Sequence, residues 1–137
     1  MKILALDTST RAGSVALRDG GQIVAAALLD VTATHSERLL PAVERSLADA
    51  GWTIDDIDLI ACAKGPGSFT GLRIGLATAK GIAFAIDRPL VGVNSLEAVA
   101  LGFAYGAATI CAMIDARKRQ VFAALVAPDG KGGLQRL

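Results

Sequence analysis

Four groups of residues in this chain have types and spacings that suggest chemistry. Asp7-Thr8-Ser9 sets a carboxylate beside two hydroxyls, a trio that at a strand end could hold a hydrated metal and a phosphate. Lys64-Gly65-Pro66-Gly67-Ser68-Phe69-Thr70-Gly71 is a glycine loop running into a helix start. Its glycines permit turn geometry and close approach, and the first helical N–H groups are free to bind an anion. Gly65, Gly67 and Ser68 therefore join Asp7, Thr8 and Ser9 as possible phosphate contacts. The loop is not the Gly-x-x-x-x-Gly-Lys-Ser/Thr phosphate motif, because Leu72 stands where its lysine would be and only Lys64 offers a substitute charge. His35 has no second histidine or cysteine at ligand spacing, so no metal site is expected. Ser68 lacks a Gly-x-Ser-x-Gly setting and no histidine follows it, so no catalytic residue is assigned. Arg117-Lys118-Arg119 is a compact basic turn, either a solvated hairpin tip or a spot for an acidic partner or RNA.

The elements that must position these groups follow from periodicity. Ile3–Leu6, Ser14–Arg18 and Gln22–Asp30 read as three strands, the last two joined at Asp19-Gly20-Gly21. They predict an opening meander with Asp7, Thr8 and Ser9 in its first turn. Ser36 to Ala50 carries Leu39 or Leu40, Val43, Leu47 and Ala50 at helical spacing, with Pro41 expected to bend the helix or delay its start. Leu59–Ala63 is a short apolar run suited to a central strand. A helix over Thr70–Ile86, a strand over Leu90–Val93 and a helix capped by Asn94 or Ser95 through Phe103 follow. Thr109–Ile114 and Val121–Val126 are then strands around a charged turn, and Leu134–Leu137 starts a third. In the second helix Gly71, Gly75 and Ala79 lie four apart beside Leu72 and Leu76. This face either packs on the sheet or meets a second protein, with Arg73 and Lys80 at the rim of such a contact.

Composition narrows the classes. In 137 residues, 53% are hydrophobic and 4% aromatic, with 15 glycines, which suits closely packed helices on a sheet. A net charge of +1 gives no basis for broad adhesion to nucleic acid or membrane. Cys62 and Cys111 sit in apolar runs as buried small hydrophobes would. The N-terminus meets Asp7 too early for a secretory signal, so a cytoplasmic protein is expected. Ala98–Ile114 is uncharged but falls short of a membrane span.

Ile3-Leu4-Ala5-Leu6-Asp7-Thr8-Ser9-Thr10, His35-Ser36-x-x-Leu39-Leu40-Pro41 and above all Gly65-Pro66-Gly67-Ser68-Phe69-Thr70-Gly71-Leu72-Arg73-Ile74-Gly75 resemble the TsaB family. Gly92-Val93-x-Ser95-Leu96 and Met113-Ile114-Asp115-Ala116-Arg117-Lys118 agree, although Gln120 stands where relatives commonly have glutamate. The resemblance implies an α/β protein of the actin-like (ASKHA, ribonuclease H-like) type. A three-strand antiparallel meander, then alternating helices and strands, would form an N-terminal lobe over residues 1–105. Residues 106–137 would begin a second, similar lobe, incomplete because family members are longer.

It further implies a non-catalytic subunit supporting tRNA N6-threonylcarbamoyladenosine modification. Such a subunit is a homodimer alone, pairs with a catalytic TsaD-type subunit, and works with a TsaE-type ATPase in a wider complex that it links to tRNA indirectly, away from membranes. Pairing through the first two helices would make Leu39, Leu40, Val43, Leu47, Gly71, Leu72, Arg73, Gly75, Leu76 and Ala79 the partner interface. ATP-using relatives carry a glycine between aspartate and hydroxyl residue, which Asp7-Thr8-Ser9 and Asp115-Ala116-Arg117 lack. ATP and magnesium are thus expected only in the assembled complex, with no cofactor on this chain alone. The alternative is an ATP-dependent, small kinase-like enzyme of the same superfamily.

Overall fold

The computed structural model describes residues 1–29, 35–103, 109–130 and 133–137. Strands β1 (Lys2–Asp7), β2 (Gly13–Asp19) and β3 (Gln22–Leu29) form the expected antiparallel meander. Helix α1 (His35–Ala50), a 3-10 turn (Ile54–Asp56), β4 (Leu59–Ala63), α2 (Phe69–Ala85) and β5 (Leu90–Val93) follow. β4 and β5 add in parallel, giving the order β3-β2-β1-β4-β5. Leu4 and Leu6, Val15 and Leu17, and Ile60 and Cys62 alternate onto one face. Leu39, Val43 and Leu47 of α1 and Ala79 and Ala83 of α2 close over it. The opposite face is floored by small residues, Ala5, Ala16 and Ala61.

Pro41 neither ends α1 nor delays it. It lies on the exposed side, where water can serve the carbonyl that its ring leaves without a donor. Among the described residues no helix is long and apolar enough to cross a membrane.

The second sheet comprises β6 (Ile110–Arg117), β7 (Gln120–Pro128) and β8 (Leu134–Arg136), antiparallel in sequence order. Helix α3 (Ser95–Leu101) packs on this sheet: Leu96 and Ala100, four apart, join Ala112, Ile114 and Val126 in a separate core. The expected division at 105/106 lies outside the described residues, but the packing changes earlier, between β5 and α3. The charged turn is also tighter than expected. Arg117 pairs with Gln120, and Lys118 and Arg119 alone connect the strands.

Candidate functional site

The glycine loop docks on the turn after β1. The Ser68 N–H donates to the Ser9 carbonyl at 2.6 Å, and the Thr8 hydroxyl donates to the Gly71 carbonyl at 2.7 Å. Ser68 caps α2 through its own hydroxyl, which accepts from the Gly71 N–H. Each glycine at the contact has a reason. A Cβ on Gly67 would strike the Ser9 carbonyl, one on Gly71 the Thr8 carbonyl, and one on Gly75 the Thr8 hydroxyl. The helix thus approaches β1 as closely as backbone allows.

This corrects two expectations. Thr8 and Ser9 are buried and filled in against α2, so the space that a phosphate would need beside Gly67 is occupied by protein. The remaining members of that set also have protein partners. Asp7 accepts from the Ser9 N–H at 2.7 Å, Gly65 has φ +100° and accepts from the Ser95 N–H, and Ser68 is the cap. Thr8, Ser9 and Gly67 therefore do not fit a phosphate at this turn. The second correction concerns the partner surface. Gly71, Gly75 and Ala79 face Thr8 and the chain's own sheet, and Leu39, Val43 and Leu47 lie in the core. Leu72 and Leu76 are half-buried, which leaves Leu40 and Arg73 exposed from the expected set.

What α2 presents outward is a second row of small residues that spacing alone did not single out. Ala77, Gly81 and Ala85 recur every four residues on the exposed side, in line with Arg73 one turn before them, and space is open beyond Gly81. Two aromatics flank them, Phe69 at 74% and Phe84 at 92% exposure. The Arg73 guanidinium sits 5.4 Å from the Phe69 ring centre. The face from Phe69 to Phe84 runs about 22 Å at 1.5 Å per residue. The signal that could have found it was two phenylalanines at the ends of an alanine- and glycine-rich ridge.

On the alanine-floored side a cleft of about 150 Å³ opens between β1, β2, β4 and α3, lined in part by Asp7, Ser14, Ala61 and Ala98. Cys62 lies beside it, and burial first and the Asp7 charge second push its thiol up to about 11. No three histidine, cysteine or acidic side chains converge as a metal site among the described residues. The side chain of His35 lies outside them. Arg117, Lys118 and Arg119 are exposed at the tip of the second sheet.

A sequence model of the TsaD family, described as tRNA N6-adenosine threonylcarbamoyltransferase, matches residues 30–131. The Escherichia coli K12 protein named tRNA threonylcarbamoyladenosine biosynthesis protein TsaB is 41% identical over 134 residues, 96% of this chain and 58% of that protein. The chain belongs to the TsaB group of this family. The solved structure of YeaZ from Pseudomonas aeruginosa superimposes on this TsaB-family chain with TM-score 0.90 at 37% identity, over 99% of this chain and 64% of that one. A hexokinase of the ROK type from Thermus thermophilus shares the actin-like α/β fold alone, at TM-score 0.56 and 19% identity over 100% of this chain and 49% of that one. The chain spans less than two thirds of these TsaB and YeaZ relatives.

Proposed function

We propose that this TsaB-family chain is a non-catalytic scaffold subunit for tRNA N6-threonylcarbamoyladenosine modification, acting by pairing with a TsaD-type catalytic subunit. The observation that carries this reading is the exposed face of α2. A ridge of Ala77, Gly81 and Ala85 lets a second helix approach closely, and Phe69 and Phe84 supply apolar area that solvent now covers. A phenylalanine buries roughly 150–250 Å² when covered, and at about 25 cal/mol per Å² the pair would dominate such a contact. Arg73 and Lys80 would rim it, and Leu40 would extend it from α1. The same face would serve a homodimer when the chain is alone. The glycines of the loop then serve to fix α2 on β1, so that its outer face is rigid.

In this reading ATP, magnesium and a TsaE-type ATPase belong to the assembled cytoplasmic complex, and residues 94–137 are the beginning of a second actin-like lobe. The experiment is a titration of the chain with a TsaD-type subunit. Phe84→Glu should weaken association at least tenfold while leaving the melting temperature of the isolated chain unchanged. Undiminished association of Phe84→Glu would overturn the assigned face. Sub-millimolar binding of ATP and magnesium to the isolated chain would overturn the non-catalytic reading.

A further inference from the structure

The tip of the β6–β7 hairpin combines charge with an uncommon backbone. Arg117, Lys118 and Arg119 have φ of +63°, +51° and +61°, so three successive non-glycine residues are left-handed. A two-residue connection of type I′ has positive φ at both central positions, and Asn-Gly meets that need at least cost. Here the two central positions are Lys118 and Arg119, and the left-handed run begins one residue earlier, where the strand register shifts between Asp115 and Arg117. Side chains with a Cβ resist this conformation, which persists only where the surroundings enforce it. The hairpin thus spends stability to hold three cations at its end.

Those cations have no ion-pair partner among the described residues. The neighbouring acid, Asp115, instead accepts the Arg117 backbone N–H at 2.8 Å. The charge is also unevenly shared along the chain. Residues 94–137 hold five Lys and Arg against three Asp and Glu, whereas residues 1–93 hold nine against ten. A net charge near neutrality therefore conceals a basic end.

We propose that Arg117, Lys118 and Arg119 form a contact for the phosphodiester backbone of RNA. The substrate class rests on the proposed role in tRNA modification; the site rests on the hairpin. Long cationic side chains on a projecting turn suit a polyanion, because a line of phosphates accepts them in many registers and needs no fixed complement. A protein contact would call for an apolar centre that charged side chains rim. Val121 and Phe122 are exposed on the strand beside the turn, but the tip itself supplies only charge, and assembly measured without RNA tells the two apart. The tip belongs to a different sheet and core from the outer face of α2, so the two contacts use separate residues.

The test uses two variants of the full chain, each alone and mixed with the TsaD-type subunit. Lys118→Asn/Arg119→Gly removes two charges while installing the turn pair that this geometry favours. Arg117→Gln/Lys118→Gln/Arg119→Gln removes all three. tRNA binding is measured by fluorescence anisotropy across a salt series, assembly by size exclusion without RNA, and folding by thermal melting. Each lost phosphate contact should lower the slope of log affinity against log salt by roughly 0.7 to 0.9. The double variant should therefore melt higher than wild type yet bind tRNA with a slope smaller by about 1.4 to 1.8, with assembly unchanged. A higher melting temperature with an unchanged slope would overturn the proposal and leave a hairpin tip only. Loss of assembly with tRNA binding retained would overturn it in favour of an acidic protein surface. No tRNA binding by wild type in either arm would overturn it as well. Failure of wild type to assemble would refute the scaffold reading, and the chain-alone arm would still decide the tip.

Discussion

The close approach of α2 to β1 can be tested with one chemical change made at two places in the same helix. Gly75→Ala and Gly81→Ala each replace a mid-helix glycine, which by itself should stabilise by about 1 kcal/mol. At Gly81 the new methyl enters open space, so that gain stands alone. At Gly75 it lands on the Thr8 hydroxyl, with the Thr8 Cβ at 3.4 Å and Cγ2 at 3.6 Å behind it. Thr8 is fully buried, and its hydroxyl is committed to the Gly71 carbonyl. If the hydroxyl swings away, a buried donor is left without a partner at about 1–3 kcal/mol. If the helix lifts instead, overpacking costs about 1–3 kcal/mol and strains the Ser68–Ser9 bond. Either route offsets or exceeds the helical gain, leaving Gly75→Ala destabilised by up to about 2 kcal/mol.

For a chain of this length about 1 kcal/mol moves the melting temperature by roughly 4 °C. Thermal melts followed by circular dichroism, at concentrations low enough to keep the chain monomeric, should thus show Gly81→Ala rising and Gly75→Ala falling. Thr8→Ala in the Gly75→Ala background removes the obstructing hydroxyl and methyl and should recover more than half of the loss, measured against Thr8→Ala alone. Equal shifts of the two alanine variants in the same direction would refute the reasoning, since only the contact with Thr8 distinguishes the sites.

Ser68→Ala removes the cap of α2 and should cost about 1 kcal/mol by urea unfolding, with Ser68→Asp retaining most of it. Contrary to the expectation from its apolar run, Cys111 is exposed, on the outer face of β6, and should react with a thiol reagent at neutral pH, whereas Cys62, buried as expected with its thiol pushed up to about 11, should react only on unfolding. The same shift sets a pH dependence. Above the ordinary thiol range the unfolded chain ionises first, so the Cys62 contribution declines as pH rises towards about 11. Cys62→Ala should flatten that decline in melts taken across alkaline pH. Asp56 works at the other end, its carboxyl held below the usual range by the Thr53 N–H first and by Lys2 next. Its stabilising effect is complete above the ordinary carboxylate range and fades as pH falls below it, and Asp56→Asn should remove that part of the acid sensitivity.

Much of the architecture was legible from local patterns. The three strands of the meander were recognised, the Leu59–Ala63 and Leu90–Val93 strands were read with the bounds observed, and Asn94 caps α3 as expected because its side chain reaches the first free N–H groups. Those features depend on residues a few positions apart, which a sequence displays directly. The side of α2 that faces inward did not follow from local pattern. Gly71/Gly75/Ala79 and Ala77/Gly81/Ala85 are both small-residue rows at the same spacing, and glycine and alanine carry too little apolar area to say which is buried. The choice is made by Thr8, 63 residues from Gly71 in the chain, whose hydroxyl and carbonyl fill the room left by one row and leave the other outside. The allegiance of α3 to the second sheet, and the left-handed backbone at Arg117, Lys118 and Arg119, have the same origin. Each is set by what a segment packs against or must connect, a tertiary constraint with no signature in the residues of the segment itself.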